Sequence, residues 1–327
     1  MTVNEQGATG ARDVTSPMSP AVEGQPGPWA WLTFAVGITA ISTGSILVRL
    51  AQAPPLVVGA WRMLLATALL TPLAWPRLRR EANRLSRRER LHLLLAGTAL
   101  ALHMATWIAS LSYTTVASSV ILVSTNPIFV GLATHFLLGE RLGGRAVLAI
   151  ALCLVGTVII SYGDLAFSGP ALWGDALALM GALTASAYIL LGRSVRRRVS
   201  TLAYVWPCYG VAGVLLLLMA LIAGQPLVAY SAPTFLVFVG LAVGPQILGH
   251  SAFNWALGHF SPVFVTLAIL GEPIGATLLA LVILDEVPPW TALLGGVFIL
   301  TGIAIASKAE SKNASSSAHS RLSDTSL

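Results

Sequence analysis

Again and again along this chain some twenty apolar residues follow one another with hardly a charge among them. A bilayer core about 30 Å thick is crossed by roughly 20 residues of helix, so each run is long enough to span it. In lipid every backbone polar group must be bonded within the protein, which leaves helices and closed barrels. Barrel strands alternate apolar and polar residues, whereas these runs are continuous and rich in Leu and Ala, so the reading is helical. Composition agrees: 56% of the 327 residues are hydrophobic and 10% are charged, against about 25% charged in soluble proteins. The pattern predicts an all-α membrane protein with ten transmembrane helices, at 29–50, 56–75, 91–112, 116–138, 146–162, 172–193, 201–223, 233–257, 263–284 and 288–307.

The charges fix an orientation. Arg77, Arg79, Arg80, Arg84, Arg87, Arg88 and Arg90 follow the second run, Arg141 and Arg145 the fourth, and Arg193, Arg196, Arg197 and Arg198 the sixth. All are even-numbered exits. The tails add Arg12, Lys308, Lys312 and Arg321, while the odd-numbered loops hold acids, Asp164, Asp285 and Glu286. Positive charge gathers on the cytoplasmic side, so both termini are expected in the cytoplasm and the protein in a bacterial inner membrane. The net charge of +6 is then a topology signal and implies no nucleic-acid partner. Residues 1–28 and 308–327 are polar, low in apolar content, and expected to be disordered cytoplasmic tails. No signal-peptide pattern precedes the first span, and the sequon at Asn313 falls in the tail assigned to the cytoplasm. Cys153 and Cys208 lie inside apolar runs, without the partners a zinc site or disulfide framework requires.

The two halves match at an offset of 146 residues. Asn126-Pro127 pairs with Glu272-Pro273, Glu140 with Glu286, Gly156 with Gly302, and Leu154, Ile159 and Ser161 with Leu300, Ile305 and Ser307. Each half holds five spans. Five is odd, so the second half enters the membrane upside down, giving two inverted five-helix repeats at 29–162 and 172–307, a build common in secondary transporters. Pro127 and Pro273 each free a carbonyl four residues earlier, that of Val123 and of Ile269. Such breaks belong where protein or a water-filled cavity can satisfy them. The pair is the candidate hinge; ordinary kinking prolines are the alternative.

The stretch Ala99–Leu142, ALALHMATWIASLSYTTVASSVILVSTNPIFVGLATHFLLGERL, its second copy Leu257–Glu286, LGHFSPVFVTLAILGEPIGATLLALVILDE, and the run Ala60-Trp-Arg-Met-Leu-Leu-Ala66 resemble the drug/metabolite transporter superfamily. They are similar to its ten-span permeases with two EamA-type repeats, over roughly residues 30–307. The resemblance implies a carrier working by alternating access around a central cavity. No cofactor is expected, and an intramembrane enzyme is disfavoured because no His-Glu-x-x-His zinc motif, no Asp-rich prenyl-phosphate motif and no catalytic Ser with a convincing base occur. The resemblance further implies export of amino acids, neutral or aromatic, from the cytoplasm. Another small metabolite, import or exchange, and a channel are the alternatives. The second copy departs from the pattern with Asp285-Glu286 for Gly-Glu, so Glu140 and Glu286 are read as helix-end features. Sequence does not give the oligomeric state.

Polar residues within spans face the protein interior, and helical spacing groups them. Gln246, His250 and Asn254 recur every four residues; His103 and Trp107 are four apart; Ser42, Ser45 and Arg49 share a side, as do Thr184 and Tyr188. Asn126 and Glu272 adjoin the hinge prolines. Ser42, Arg62, His103, Trp107, Asn126, Tyr188, Gln246, His250, Asn254 and Glu272 are the candidate substrate-binding residues. Arg62, inside its span, is a candidate partner for a substrate carboxylate. Glu272 is a candidate for proton coupling or a structural acid at the Pro273 break. The histidines could equally bond backbone carbonyls, Ser45 its own helix, and Arg49 could reach out to the surface.

Overall fold

The computed structural model describes residues 28–138, 144–167, 169–196, 198–258, 265–266, 269, 271–302 and 304–305. Both tails, Asn313, Glu140 and Arg141 lie outside the described residues. All regular structure among the described residues is helical. In chain order the helices are α1 (Pro28–Ser42), α2 (Gly44–Leu50), α3 (Pro55–Glu81), α4 (Arg87–Ser110), α5 (Val116–Val123), α6 (Asn126–Leu138), α7 (Gly144–Phe167), α8 (Gly169–Arg196), α9 (Thr201–Ile222), α10 (Ala232–Leu241), a π-helical stretch (Ala242–His250) and α11 (Ser251–Ala256). They end with α12 (Gly271–Ile283) and α13 (Trp290–Gly302).

Among the described residues, seven helices are long and apolar enough to cross a membrane. Three shorter apolar helices, Val147–Ile160, Gly271–Ile283 and Trp290–Gly302, stand where the fifth, ninth and tenth spans are expected. Outward-facing Leu73, Val158, Leu236 and Leu278 are exposed, an apolar surface that water would not tolerate over so large an area. Trp29, Trp75, Trp173 and Trp290 are exposed near helix ends, where interfacial indoles collect.

Local chemistry sets the helix starts. Ser86 and Glu89 form a capping box at α4, the serine side chain accepting from Glu89 N–H and the carboxylate accepting from Ser86 N–H. The side chains of Thr115, Ser200 and Ser231 cap α5, α9 and α10. Pro245 sits inside the π-helical stretch. It offers no N–H, and its ring crowds the carbonyl four residues earlier; widening to π geometry fits that break.

The loops sort into two ends. At one, Glu81 Oε2 accepts from Ser200 N–H at 2.6 Å, Arg198 pairs with Glu89 at 2.8 Å, and His92 Nδ1 lies 3.2 Å from Ser194 Oγ. These join the exits of the second and sixth expected spans. At the other, Arg49 Nη2 donates to Thr114 O at 2.8 Å and pairs with Glu286 at 3.4 Å, while Val116 N–H donates to Glu286 Oε1. These join the exits of the first, third and ninth. Arg49 is thus bonded to neighbouring loops while it stays exposed at the surface, as expected. Arg196, expected in the loop after the sixth span, is buried and helical. It donates through Nε to Asn254 O and through Nη2 to Thr201 Oγ1, both at 2.8 Å, and through Nη1 to Val199 O.

Helices α7 and α13 meet through backbone. A Cβ on Gly156 would stand 2.5 Å from Gly295 O, and one on Gly302 would stand 2.7 Å from Ala149 O. Between them Cys153 Sγ lies 3.6 Å from Ile299 O. Residue numbers rise on one helix as they fall on the other, so the pair is antiparallel. Adding 146 to the first member of each contact produces a residue of its partner contact: Gly156 becomes Gly302, Ala149 becomes Gly295, and Cys153 becomes Ile299.

Candidate functional site

The span expected at 116–138 is two helices. Helix α5 ends at Val123 and α6 begins at Asn126, with Pro127 in its first turn. Hydroxyls cover carbonyls at this break: Ser124 Oγ donates to Val120 O and Thr125 Oγ1 to Leu122 O, both at 2.7 Å. At the second copy Pro273 lies in the first turn of α12, and Glu272 N–H donates to Ile269 O at 2.8 Å. That is the carbonyl the proline frees. Both prolines therefore start a helix at a break in the span, and both are buried.

The breaks open on a cavity. Its wall includes His103 and Trp107 from α4, Ser124 and Asn126 from the first break, and Tyr188 from α8. His250, Asn254 and Glu272 complete its polar part, and Leu100, Ile189, Phe253, Leu257 and Ile269 its apolar part. It offers about 70 Å³ to the centres of water-sized molecules. One buried water needs ~10–15 Å³ on that measure, so this is several times a one-water void.

Its polar groups are partly spent. His103 Nδ1 lies 2.9 Å from Gly181 O; a carbonyl only accepts, so Nδ1 carries the proton there and Nε2 remains. The His103 ring stacks on Trp107 with centroids 6.1 Å apart and meets His250 edge-on at 6.4 Å. Tyr188 OH donates to Asn254 Oδ1 at 2.8 Å, and Asn254 Nδ2 donates to His250 O at 2.7 Å. Ser186 Oγ donates to Asn126 O at 3.0 Å. Two buried atoms of lining residues have no partner among the described residues: Asn126 Oδ1, an acceptor, and Trp107 Nε1, a donor.

Seven of the ten candidate residues line this cavity: His103, Trp107, Asn126, Tyr188, His250, Asn254 and Glu272. Arg62 and Gln246 sit beside it, both fully buried, with Arg62 Nε donating to Gln246 Oε1 at 2.8 Å and its guanidinium 5.7 Å from the Trp107 ring centroid. Ser42 stands apart, because its hydroxyl donates to Ile38 O at 2.8 Å and its side chain packs on Gly275. Sequence reasoning missed Arg196, which holds the carbonyl of Asn254, and the π-helical geometry around Gln246. Nothing in hydropathy marks either, although Pro245 beside Gln246 is a legible warning of a broken helix.

A membrane-crossing helical bundle whose helix breaks open on a buried, partly polar cavity has the build of a small-molecule transporter. The chain belongs to the EamA-like transporter family, within the drug/metabolite transporter superfamily; the family pattern matches twice, over residues 28–162 and 172–308. An uncharacterized transporter of Clostridium kluyveri is 26% identical over 274 residues, covering 80% of this chain and 86% of the relative. A probable terminal-alkyne amino-acid exporter of Streptantibioticus cattleyicolor is also 26% identical, over 57% of this chain and 62% of its own. A solved crystal structure 22% identical shares the fold with a TM-score of 0.60, covering 85% of this chain and 96% of its own.

Proposed function

We propose that this protein exports neutral or aromatic amino acids across a bacterial inner membrane by alternating access. One observation carries the reading. The cavity is lined by Asn126, Glu272 and Trp107, whose Asn126 Oδ1 acceptor and Trp107 Nε1 donor are buried without a partner among the described residues, and by an apolar wall of Leu100, Ile189, Phe253, Leu257 and Ile269. An ammonium needs acceptors, a carboxylate needs donors, and an uncharged side chain needs apolar surface. Asn126 and Glu272 occupy the same position in the two copies. The relative named as an amino-acid exporter points to the same cargo class.

The carrier has ten spans in two inverted halves. The double family match supports this division. So does the crossing of α7 and α13, whose contacts the repeat offset exchanges with one another, as a twofold axis in the membrane plane demands. The end that gathers the arginines faces the cytoplasm, and both termini lie there. Pro127 and Pro273 are the hinges, because each stands where a span is already divided and a cavity lines the break.

The test is counterflow. Proteoliposomes preloaded with unlabelled neutral amino acids are expected to accumulate labelled leucine or phenylalanine transiently above equilibrium. Counterflow of a different metabolite class alone overturns the cargo, and linear, unsaturable flux overturns the carrier.

A further inference from the structure

Around Trp107 four buried side chains from four helices carry hydrogen-bond donors that find no acceptor among the described residues. Arg62 of α3 is fully buried; its Nε is used by Gln246 Oε1, while Nη1 and Nη2 have no partner. Gln246 Nε2 of the π-helical stretch, Trp107 Nε1 of α4 and Ser45 Oγ of α2 are likewise buried and unpartnered. Apart from the serine hydroxyl, which can act either way, none of these atoms can accept. Trp107 lies under the guanidinium at 5.7 Å and also forms part of the cavity wall.

A buried guanidinium with most of its hydrogens unsatisfied costs several kcal/mol unless a counter-charge and acceptors complete it. Among the described residues no ion pair joins Arg62 to an acid. Planar donors on Arg62 and Gln246 match a carboxylate, which accepts two parallel bonds.

We propose that Arg62, Gln246, Trp107 and Ser45 form a receptor for one carboxylate-sized anion. It deepens the reading of the cavity as an amino-acid site and rests on it for the source of the anion. The carboxylate of the cargo enters this receptor while its ammonium meets Asn126 and Glu272. The same donors would hold a free halide, and the experiment separates the two.

Gln246→Glu tests the receptor. It is nearly isosteric, and its carboxylate fills the donors of Arg62 from within. The exposed Gln52→Glu adds equal charge elsewhere. Thermal unfolding of the full chain in detergent is followed with sodium acetate or chloride replacing the bulky anion isethionate at constant ionic strength. Acetate is expected to raise the unfolding temperature of the wild type and of Gln52→Glu. Its effect on Gln246→Glu, which stays folded, falls at least ten-fold in apparent affinity. Leucinamide, lacking the carboxylate, is expected to lose counterflow that leucine retains; equal transport of both, with chloride stabilising, assigns the receptor to a free anion. Indifference of the wild type to both anions, or an unchanged response in Gln246→Glu, overturns the proposal. Loss of all amino-acid counterflow with acetate stabilisation intact overturns the cargo and leaves the receptor standing.

Discussion

Gly156→Ala asks whether the crossing of α7 and α13 is set by backbone contact. The new Cβ would stand 2.5 Å from Gly295 O and 2.7 Å from Ile299 Cγ1, the first about 0.9 Å short of the 3.4 Å at which ordinary contact begins. A carbonyl oxygen in a packed helix cannot rotate away, so the helices must part. Overpacking of this kind costs about 1–3 kcal/mol, and alanine returns about 0.5–1 kcal/mol through its better helical backbone. A net loss of about 1–2 kcal/mol follows. Gly302→Ala, its mate at the repeat offset, meets Ala149 O at 2.7 Å and is expected to lose a similar amount. Because both substitutions spread one interface, the double variant should lose less than their sum. Thermal unfolding in detergent, followed by tryptophan fluorescence, reads all three. A Gly156→Ala protein as stable as wild type, or strictly additive losses, refutes the shared crossing.

Tyr188→Phe removes the donor to Asn254 Oδ1 and leaves a buried acceptor short at about 1–3 kcal/mol; counterflow KM is expected to rise about ten-fold in a folded protein, and an unchanged KM removes this pair from the cargo site. Glu286→Gln dissolves the partly exposed pair with Arg49, worth about 0–1 kcal/mol. Glu286 also accepts from Val116 N–H, so the loops it joins are expected to loosen, read as faster thiol labelling of cavity positions from that end; an unchanged labelling rate refutes a closing role for these contacts.

Much of this was legible because lipid imposes simple rules. Apolar runs of about 20 residues leave helices as the outcome, and the split of arginines from Asp285 and Glu286 sorted loops that the structure joins end by end. Helical spacing brought His103 and Trp107, and His250 and Asn254, onto one cavity. Spacing could not tell where a hydroxyl spends its hydrogen. Ser42 bonds its own helix at Ile38 O, while Ser45, expected to do so, has no partner. Arg196 was counted with the loop arginines because it follows an apolar run; it is buried instead, bonded to Val199 O and Thr201 Oγ1 of the next turn and to the distant carbonyl of Asn254. Long-range partners of that kind leave no periodic trace. The capping box at Ser86 and Glu89 did leave one, in the spacing Ser-x-x-Glu.

Alternating exposure of the cavity is the central claim, and one residue reports it directly. Ala185 lines the cavity, and the two native cysteines, Cys153 and Cys208, are buried. With both replaced by serine, Ala185→Cys in oriented proteoliposomes is treated with a membrane-impermeant thiol reagent from one side or the other. Labelling from each side in separate experiments, slowed from both by saturating transported amino acid, is the predicted result. Labelling from a single side only, untouched by cargo, contradicts the account.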